Sequence, residues 1–195
     1  MQGLSPVTHL LVGWTVANST SLSRRERAVV TLAGVVPDVD GLGLVADFLT
    51  RNSAHPLNWW GEYHHILAHN VGFALAVGVT AFLLSARRWT TALLALLSFH
   101  LHLLADLAGA RGPEGFQWPI PYWSPFSDAW QLSWEGQWAL NAWPNLLITG
   151  VLLILIFYLA WRNGFSPLEM ASPMADTVFV QTLRKRFGDR GSRRL

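Results

Sequence analysis

Side chains of the kinds that bind metal ions lie in or beside strongly apolar segments of this 195-residue sequence. They are His9, Asp38, Asp40, His64, His69, His102 and Asp106. Ionisable groups at membrane depth are energetically costly, so they indicate a functional site by default. A mixture of imidazole and carboxylate ligands suits zinc or another borderline divalent metal. Cysteine is absent, which excludes thiolate ligands and disulfide bonds. The sequence therefore predicts a buried metal centre.

The spacing of these residues indicates which of them face one another. His102 and Asp106 are four residues apart, which places them on one face of a helix. Asp38 and Asp40 follow Pro37 in a turn where two carboxylates can point toward one site. These two pairs are the first elements of the predicted centre.

A cluster of three histidines allows two assignments. Helical geometry pairs His65 with His69, because they are four residues apart. His64 is five residues from His69, so pairing them requires His64 to precede the first helical turn. The apolar run begins only at Ile66, which makes that arrangement possible. We predict His64 and His69 as ligands and leave His65 as the alternative to His64.

Other uses of these polar residues remain open. His102 and Asp106 can form a structural hydrogen bond between helices, or belong to a proton or cation path through a bundle. His100 is two residues from His102 and points to nearly the opposite face, so we predict a hydrogen-bonded core residue there. His55 precedes Pro56 in a polar loop, where a solvated side chain is expected.

The composition predicts an integral membrane protein. Half of the residues (51%) are hydrophobic, 13% are charged, and the mean hydropathy is +0.28. We predict an all-α fold, a polytopic transmembrane helical bundle of about five membrane segments. The predicted segments are Leu4–Ala17, Ala28–Leu49, Ile66–Ala86, Trp89–Ala108 and Trp143–Trp161. Pro37 is expected to kink or break the second of them.

The basic residues predict an orientation in the membrane. With these segments, all of the 14 basic residues except Arg51 and Arg111 fall on one side. The positive-inside rule then places the N-terminus outside and the C-terminus inside the cytoplasmic (inner) membrane of a bacterium or archaeon. We predict a membrane-embedded metal-site domain over residues 1–165 and a basic cytoplasmic tail, in part an amphipathic helix, over residues 166–195.

The same orientation places the candidate ligands at one depth. Measured at ~1.5 Å per residue from the inner arginines, all of them fall in the outer half of a ~30 Å hydrocarbon core. The outer loop from Arg111 to Ala142 carries Trp118, Trp123, Trp130, Trp134 and Trp138, and the other outer loop carries Trp59 and Trp60. These tryptophans predict an interfacial aromatic belt, a lid that admits an amphiphile, or both.

A set of short motifs resembles a known family. The motifs are Thr8-His9, Pro37-Asp38-Val39-Asp40, His64-(x4)-His69, and His102-(x3)-Asp106 followed by Gly109 and Pro119. They resemble the membrane-bound metal-dependent hydrolases, also described as LexA-binding, inner-membrane-associated hydrolases, over about Met1 to Phe126. The family commonly has His-Arg-x-x-Thr-His-Ser, where this sequence has His65, Ala68 and Asn70 in place of the arginine, threonine and serine. That family is distantly similar to zinc-dependent phospholipase C and to single-strand-specific zinc nucleases, all-helical proteins that cleave phosphate esters at multi-zinc sites.

The resemblance implies a function and a ligand set. It implies an integral membrane metal-dependent hydrolase, a phosphoesterase that acts at the outer face on an amphiphilic or lipid-linked substrate. The implied ligands are His9, Asp38 or Asp40, His64, His69, His102 and Asp106. Six or seven ligands exceed the three or four that one zinc needs, which favours two metals within a range of one to three, zinc first and manganese second. Whichever of Asp38 and Asp40 is not a ligand is predicted to orient the attacking water or to act as general base.

Two other functions fit the same residues. The first is a non-enzymatic metal-binding or cation-handling membrane protein. The second is a scaffold protein in which the metal only stabilises the fold. The lipid bilayer is the expected partner, and nucleic acid is not expected, because the basic residues form a rim at the inner membrane surface rather than a groove-sized patch.

Overall fold

The computed structural model describes residues 6–112, 115–127 and 129–188, and over these residues the chain is helical and contains no β-strand. The α-helices are α1 Pro6–Ala17, α2 Arg24–Ala33, α3 Gly43–Thr50, α4 Trp59–Tyr63, α5 Val71–Leu84, α6 Arg88–Gly109, α7 Trp143–Asn163 and α8 Pro173–Phe187. Short 3₁₀ helices cover Val36–Leu42 and Pro167–Met170. The predicted all-α fold is therefore confirmed for the described part of the chain.

The number of membrane-spanning helices is smaller than predicted. Within the described residues, α6 and α7 are long and apolar enough to cross a bilayer. A third span results if α2 and residues 36–50 are counted as one helix bent by 53°. The prediction of about five spans is wrong, because α1 has 12 residues and α5 has 14, whereas a span needs about 20. Leu4, the predicted start of the first segment, lies outside the described residues.

The segment after α2 breaks where its sequence requires a break. Pro37 has no amide hydrogen to continue an α-helix, and the chain forms the 3₁₀ helix Val36–Leu42 instead. The Asp38 amide donates to the Val35 carbonyl oxygen at 3.0 Å, which fixes the start of this turn. Both carboxylates of the Pro-Asp-Val-Asp motif are therefore held on a short, tightly wound segment next to α6.

Small residues let α1, α2 and α6 approach one another closely. A Cβ atom on Gly13 would lie 2.6 Å from the Thr31 carbonyl oxygen, and one on Gly34 would lie 2.6 Å from the Ser98 Oγ. Close backbone approach at small residues is a common way of packing helices in membranes. This crossing brings the first turn of α1, which carries His9, beside the last turns of α6.

Many of the basic residues collect at the opposite end of the molecule from His9. Ser23 and Glu26 form a capping box at the start of α2, and the Arg87 amide donates to Glu26 Oε1 at 2.7 Å. Arg27 pairs with Glu169, with Nε 2.7 Å from Oε1. These contacts join the starts of α2 and α6 to the chain that follows α7. The inner and outer assignment of the two ends stays a prediction.

The helix of the predicted tail packs against α7. Phe179 meets Phe157 edge to face with ring centroids 5.2 Å apart, and Trp161 Nε1 donates to the Gly188 carbonyl oxygen at 2.8 Å. Val180 of the same helix is buried. Residues 189–195 of the tail lie outside the described residues, and the division of the chain at residue 166 stays a prediction.

Candidate metal centre

The C-terminal half of α6 supplies the centre of the site. His102 and Asp106 lie one helical turn apart, and His102 Nε2 is 3.0 Å from Asp106 Oδ2. Both side chains are buried. The spacing of these two residues in the sequence predicts this shared face.

The start of α1 and the 3₁₀ helix complete a first group of donor atoms. His9 Nε2 lies 3.2 Å from Asp106 Oδ1, and the His9 ring lies over His102 with centroids 3.8 Å apart. Asp38 Oδ1 is 3.7 Å from His102 Nε2. One donor atom from each of His9, Asp38, His102 and Asp106 lies within 4.8 Å of the others. Four such donors are the number that a zinc ion uses.

A second group contains two histidines from the turn before α5. His65 Nε2 is 3.9 Å and His69 Nε2 is 3.4 Å from Asp106 Oδ2. These donors also lie within 4.8 Å of one another. Burial lowers the pKa of His65 to about 3, so its imidazole is neutral, which is the form that binds metals. Asp106 belongs to both groups and can bridge two ions.

The hydrogen bonds behind the histidines direct their free nitrogens toward the centre. His102 Nδ1 donates to the Gly34 carbonyl oxygen at 2.9 Å, and His69 Nδ1 donates to Asp40 Oδ2 at 3.0 Å. A carbonyl oxygen can only accept, so the proton of a neutral His102 is on Nδ1 and its Nε2 carries a lone pair. His69 Nε2 lies 3.1 Å from His102 Nε2, and in a neutral His69 it also carries a lone pair. When both rings are neutral, the two Nε2 lone pairs face one site, where a cation would bind both.

Other buried atoms of the cluster also lack a hydrogen-bond partner. Among the described residues, Asp38 Oδ2 has no hydrogen-bond partner, and His9 Nε2 and Asp106 Oδ2 have only the ion-pair contacts given above. Buried polar atoms without a partner are rare and costly. A divalent cation would satisfy these atoms together with the facing imidazole nitrogens. The residues present therefore fit the metal that the sequence predicts.

Asp40 lies behind the donor groups and holds histidines in place. Its Oδ1 accepts from His64 Nδ1 at 2.8 Å, and its Oδ2 accepts from His69 Nδ1 at 3.0 Å and from the Ala68 amide at 3.3 Å. Carboxylates in this position fix the orientation of metal-binding histidines.

Five of the seven predicted ligands come together in the two groups, and two do not. His9, Asp38, His69, His102 and Asp106 supply donors, whereas Asp40 and His64 are outside both groups. His65 takes the place predicted for His64. Its i, i+4 spacing to His69 made His65 the alternative ligand, on the assumption of a regular helix. The residue is not in a regular helix, however, because His65 has a φ of 67°, which is uncommon for a residue other than glycine.

Aromatic side chains cover the histidine turn. The Trp60 ring stacks on His64 with centroids 5.3 Å apart and an interplanar angle of 22°. Trp118 meets Trp60 edge to face, with centroids 5.0 Å apart, and lies 5.4 Å from the His65 ring. Two of the tryptophans predicted at the outer surface thus lie beside the site.

The remaining histidines are outside the centre. His100 Nδ1 donates to the Leu96 carbonyl oxygen at 2.7 Å, and its Nε2 accepts from the Tyr122 hydroxyl at 2.8 Å. These bonds fix the loop at Tyr122 to α6, as expected of a hydrogen-bonded core histidine. His55 is exposed.

Comparison with known proteins agrees with a membrane location. A family described as YdjM inner membrane protein matches residues 4–180, which is most of the chain. The chain belongs to this family. No curated protein and no solved structure matches it significantly. The family description and the apolar helices α6 and α7 together indicate an inner membrane protein. The likeness to hydrolases and to zinc-dependent phospholipase C stays a prediction.

Proposed function

We propose that the protein is an integral membrane metal-dependent hydrolase, a phosphoesterase that acts on an amphiphilic or lipid-linked substrate. The observation that carries this proposal is the sharing of Asp106 between two donor groups, one with His9, Asp38 and His102 and one with His65 and His69. Paired metal ions joined by a carboxylate are a recurrent feature of enzymes that hydrolyse phosphate esters. A structural zinc site, by contrast, needs only four closed ligands.

The proposed cofactor is a pair of divalent ions, zinc or alternatively manganese. Such ions lower the pKa of a bound water to near ~7 and neutralise charge on a phosphoryl oxygen. In the metal-bound form the histidines would contribute neutral nitrogens, so the ligand charge would come from the Asp38 and Asp106 carboxylates. Two divalent ions outweigh two carboxylates, and the remaining positive charge favours an anionic substrate such as a phosphate ester.

Asp38 and Asp40 have different places in this proposal. The Asp38 side chain is 19% exposed, whereas those of His102 and Asp106 are at most 5% exposed. Asp38 is therefore the donor nearest to solvent and is placed to orient a water or take its proton. Asp40 contacts His64 and His69 from behind, so we assign it a positioning role rather than a catalytic one.

Hydrolysis by purified protein tests the proposal. Detergent-purified protein loaded with zinc or manganese should hydrolyse a phosphate monoester or diester, and a chelator should abolish this activity. Re-addition of the metal should restore it. The matched control is Glu62→Gln, an exposed carboxylate on α4 outside both donor groups, which should retain activity. A fully metallated, folded preparation without activity on any phosphate ester would contradict the proposal.

The burial of the site favours a second candidate, a metal-binding or cation-handling membrane protein without hydrolytic activity. His9, His69 and His102 are each at most 1% exposed, and Asp38, with a side chain 19% exposed, is the most exposed residue of the two donor groups. Metal that is retained tightly without turnover of any ester would support this candidate. Ligand substitutions that unfold the protein would instead support a purely structural metal.

A further inference from the structure

A groove of ≈ 420 Å³ lies on the surface beside the metal centre. Its walls are formed by Ile66, Leu67, Asn70, Phe73, Ala76 and Pro125. The turn at Ser124 closes one side, because the Val71 amide donates to the Tyr122 carbonyl oxygen at 2.7 Å and the Gly72 amide to the Ser124 carbonyl oxygen at 3.4 Å. The groove is therefore built where the start of α5 meets the loop that follows α6.

The groove and the metal centre share one wall. The turn before α5 carries His65 and His69, which are buried among the metal donors. Ile66 and Leu67 in the same turn are exposed (42% and 58%) and line the groove. A single short segment thus separates the groove from the donor atoms.

The polar side chain in this wall has its hydrogen bonds satisfied by the chain itself. Asn70 Nδ2 donates to the carbonyl oxygens of Ile66 and Leu67, both at 2.9 Å. Asn70 Oδ1 accepts from the Phe73 amide at 2.9 Å. With its amide engaged in this way, Asn70 presents little to a polar ligand. The chemistry of the groove favours a hydrocarbon occupant.

The groove is continuous with an apolar exposed surface of α5. On the same helix, the side chains of Leu75, Val79 and Leu83 are 54%, 58% and 68% exposed. The sequence predicts that α5 lies at membrane depth, where its exposed leucine and valine side chains would contact acyl chains. A hydrocarbon chain can therefore enter the groove sideways from the bilayer.

We propose that this groove holds the hydrocarbon tail of the substrate while the phosphate headgroup reaches the metal centre across the His64–Asn70 turn. The proposal rests on the proposed hydrolase function and adds the substrate class: a phosphate ester whose single alkyl or isoprenoid chain remains in the membrane. The occupant is the substrate's own tail and not an unrelated bilayer lipid. Trp60 and Trp118 contact His64 and His65 of the same turn and are not among the residues that line the groove.

Photolabelling of the full-length protein in lipid nanodiscs tests the tail site. The probe is an alkyl phosphate with a diazirine in its chain, and the matched probe is an alkyl trimethylammonium with the same chain. The phosphate probe should label residues 66–76 at least several-fold more than the ammonium probe. Ala76→Trp should fill the groove and remove most of this labelling, whereas Leu83→Trp, on the same helix outside the groove, should leave it unchanged.

Activity gives a second readout that separates the two proposals. In Ala76→Trp, the ratio of kcat/KM for a long-chain phosphate ester to kcat/KM for a tail-less ester should fall several-fold, and in Leu83→Trp it should not change. Equal labelling by both probes would contradict the proposed tail site but not the proposed hydrolase function. Selective labelling without hydrolysis of either ester would contradict the hydrolase and retain the groove as an amphiphile site.

Discussion

Asp106 occupies the position on which both donor groups depend. Its Oδ1 faces His9 at 3.2 Å, and its Oδ2 faces His102 at 3.0 Å and His69 at 3.4 Å. A fully buried carboxylate with so many imidazole neighbours must be compensated by positive charge. The free nitrogens of the histidines point inward because Gly34 and Asp40 engage their other nitrogens.

Asp40→Asn should weaken metal binding and leave the ligands in place. An asparagine can accept from only one of His64 and His69, because its amide nitrogen would face the other Nδ1–H. We expect metal affinity to fall roughly 10–100-fold, the usual effect of losing such a supporting group. Competition titration with a fluorescent chelator measures this change. Excess metal should restore hydrolysis, and failure to do so would contradict the positioning role.

Asp38→Asn, unlike Asp40→Asn, should lose activity that excess metal does not restore. Loss of the partly exposed carboxylate should lower turnover by roughly 10²–10⁴-fold, as expected when a general base is removed. Excess metal should not rescue it, because the lost group acts on the water as well as on the ion. Steady-state kinetics at saturating metal is the measurement. Recovery of wild-type turnover on metal addition would contradict the role of Asp38 as general base and would show that it acts only as a metal ligand.

Sequence spacing identified most of the residues of the site but did not show which of Asp38 and Asp40, or of His64 and His65, supplies a metal donor. His102 and Asp106 follow from helical periodicity, since a regular helix fixes which residues share a face. Which of Asp38 and Asp40 faces the donors depends on the winding of a 3₁₀ helix. The inward position of His65 depends on its positive φ. Neither the 3₁₀ winding nor a single positive φ produces a periodic pattern of residues, so neither could be predicted from the sequence.

At the scale of elements, the bounds of long apolar helices could be predicted from the sequence, whereas those of an apolar segment that contains a turn could not. The predicted segments Trp89–Ala108 and Trp143–Trp161 nearly coincide with α6 and α7. The predicted segment Ile66–Ala86 shortens to α5, because its first residues form the non-helical turn that carries His69. The first residues of this segment are mostly apolar, so hydropathy alone does not distinguish this turn at a buried site from the start of a helix.

The crossing of α1 and α2 gives a stability prediction with an internal control. Gly13→Ala should place a methyl group 2.6 Å from the Thr31 carbonyl oxygen. Because a backbone atom cannot move aside cheaply, we expect a loss of about 1–3 kcal/mol of unfolding free energy. Gly150→Ala on α7, where a Cβ meets nothing within 4 Å, should be neutral or slightly stabilising. Thermal unfolding in detergent compares them, and equal melting temperatures would contradict the close crossing.

At the scale of the whole molecule, the metal donors and many of the basic residues lie at opposite ends. Arg88 begins α6, whereas Asp106 lies in the last turn of the same helix. Arg24 and Arg25 begin α2, whose other end precedes Asp38. The positive-inside rule predicts that the basic end is cytoplasmic, and in that orientation the site would face outward and the proposed substrate would lie in the outer leaflet.

Cysteine labelling tests this orientation without background, because the natural chain has no cysteine. Ser127→Cys should react with a membrane-impermeant maleimide added to intact cells. Ser192→Cys should react only after the membrane is permeabilised. The reverse pattern would place the metal centre on the cytoplasmic side and move the proposed substrate to the inner leaflet.

The metal content of the purified protein tests the central claim most directly. Elemental analysis of detergent-purified wild-type protein should give about two zinc or manganese ions per chain, the number that a carboxylate-bridged pair contains. Asp106→Asn should lose most of this metal, since the substitution removes a donor from both groups, while its helical circular dichroism is retained. Wild-type protein that binds no divalent metal, or a folded Asp106→Asn variant with undiminished metal, would contradict the account.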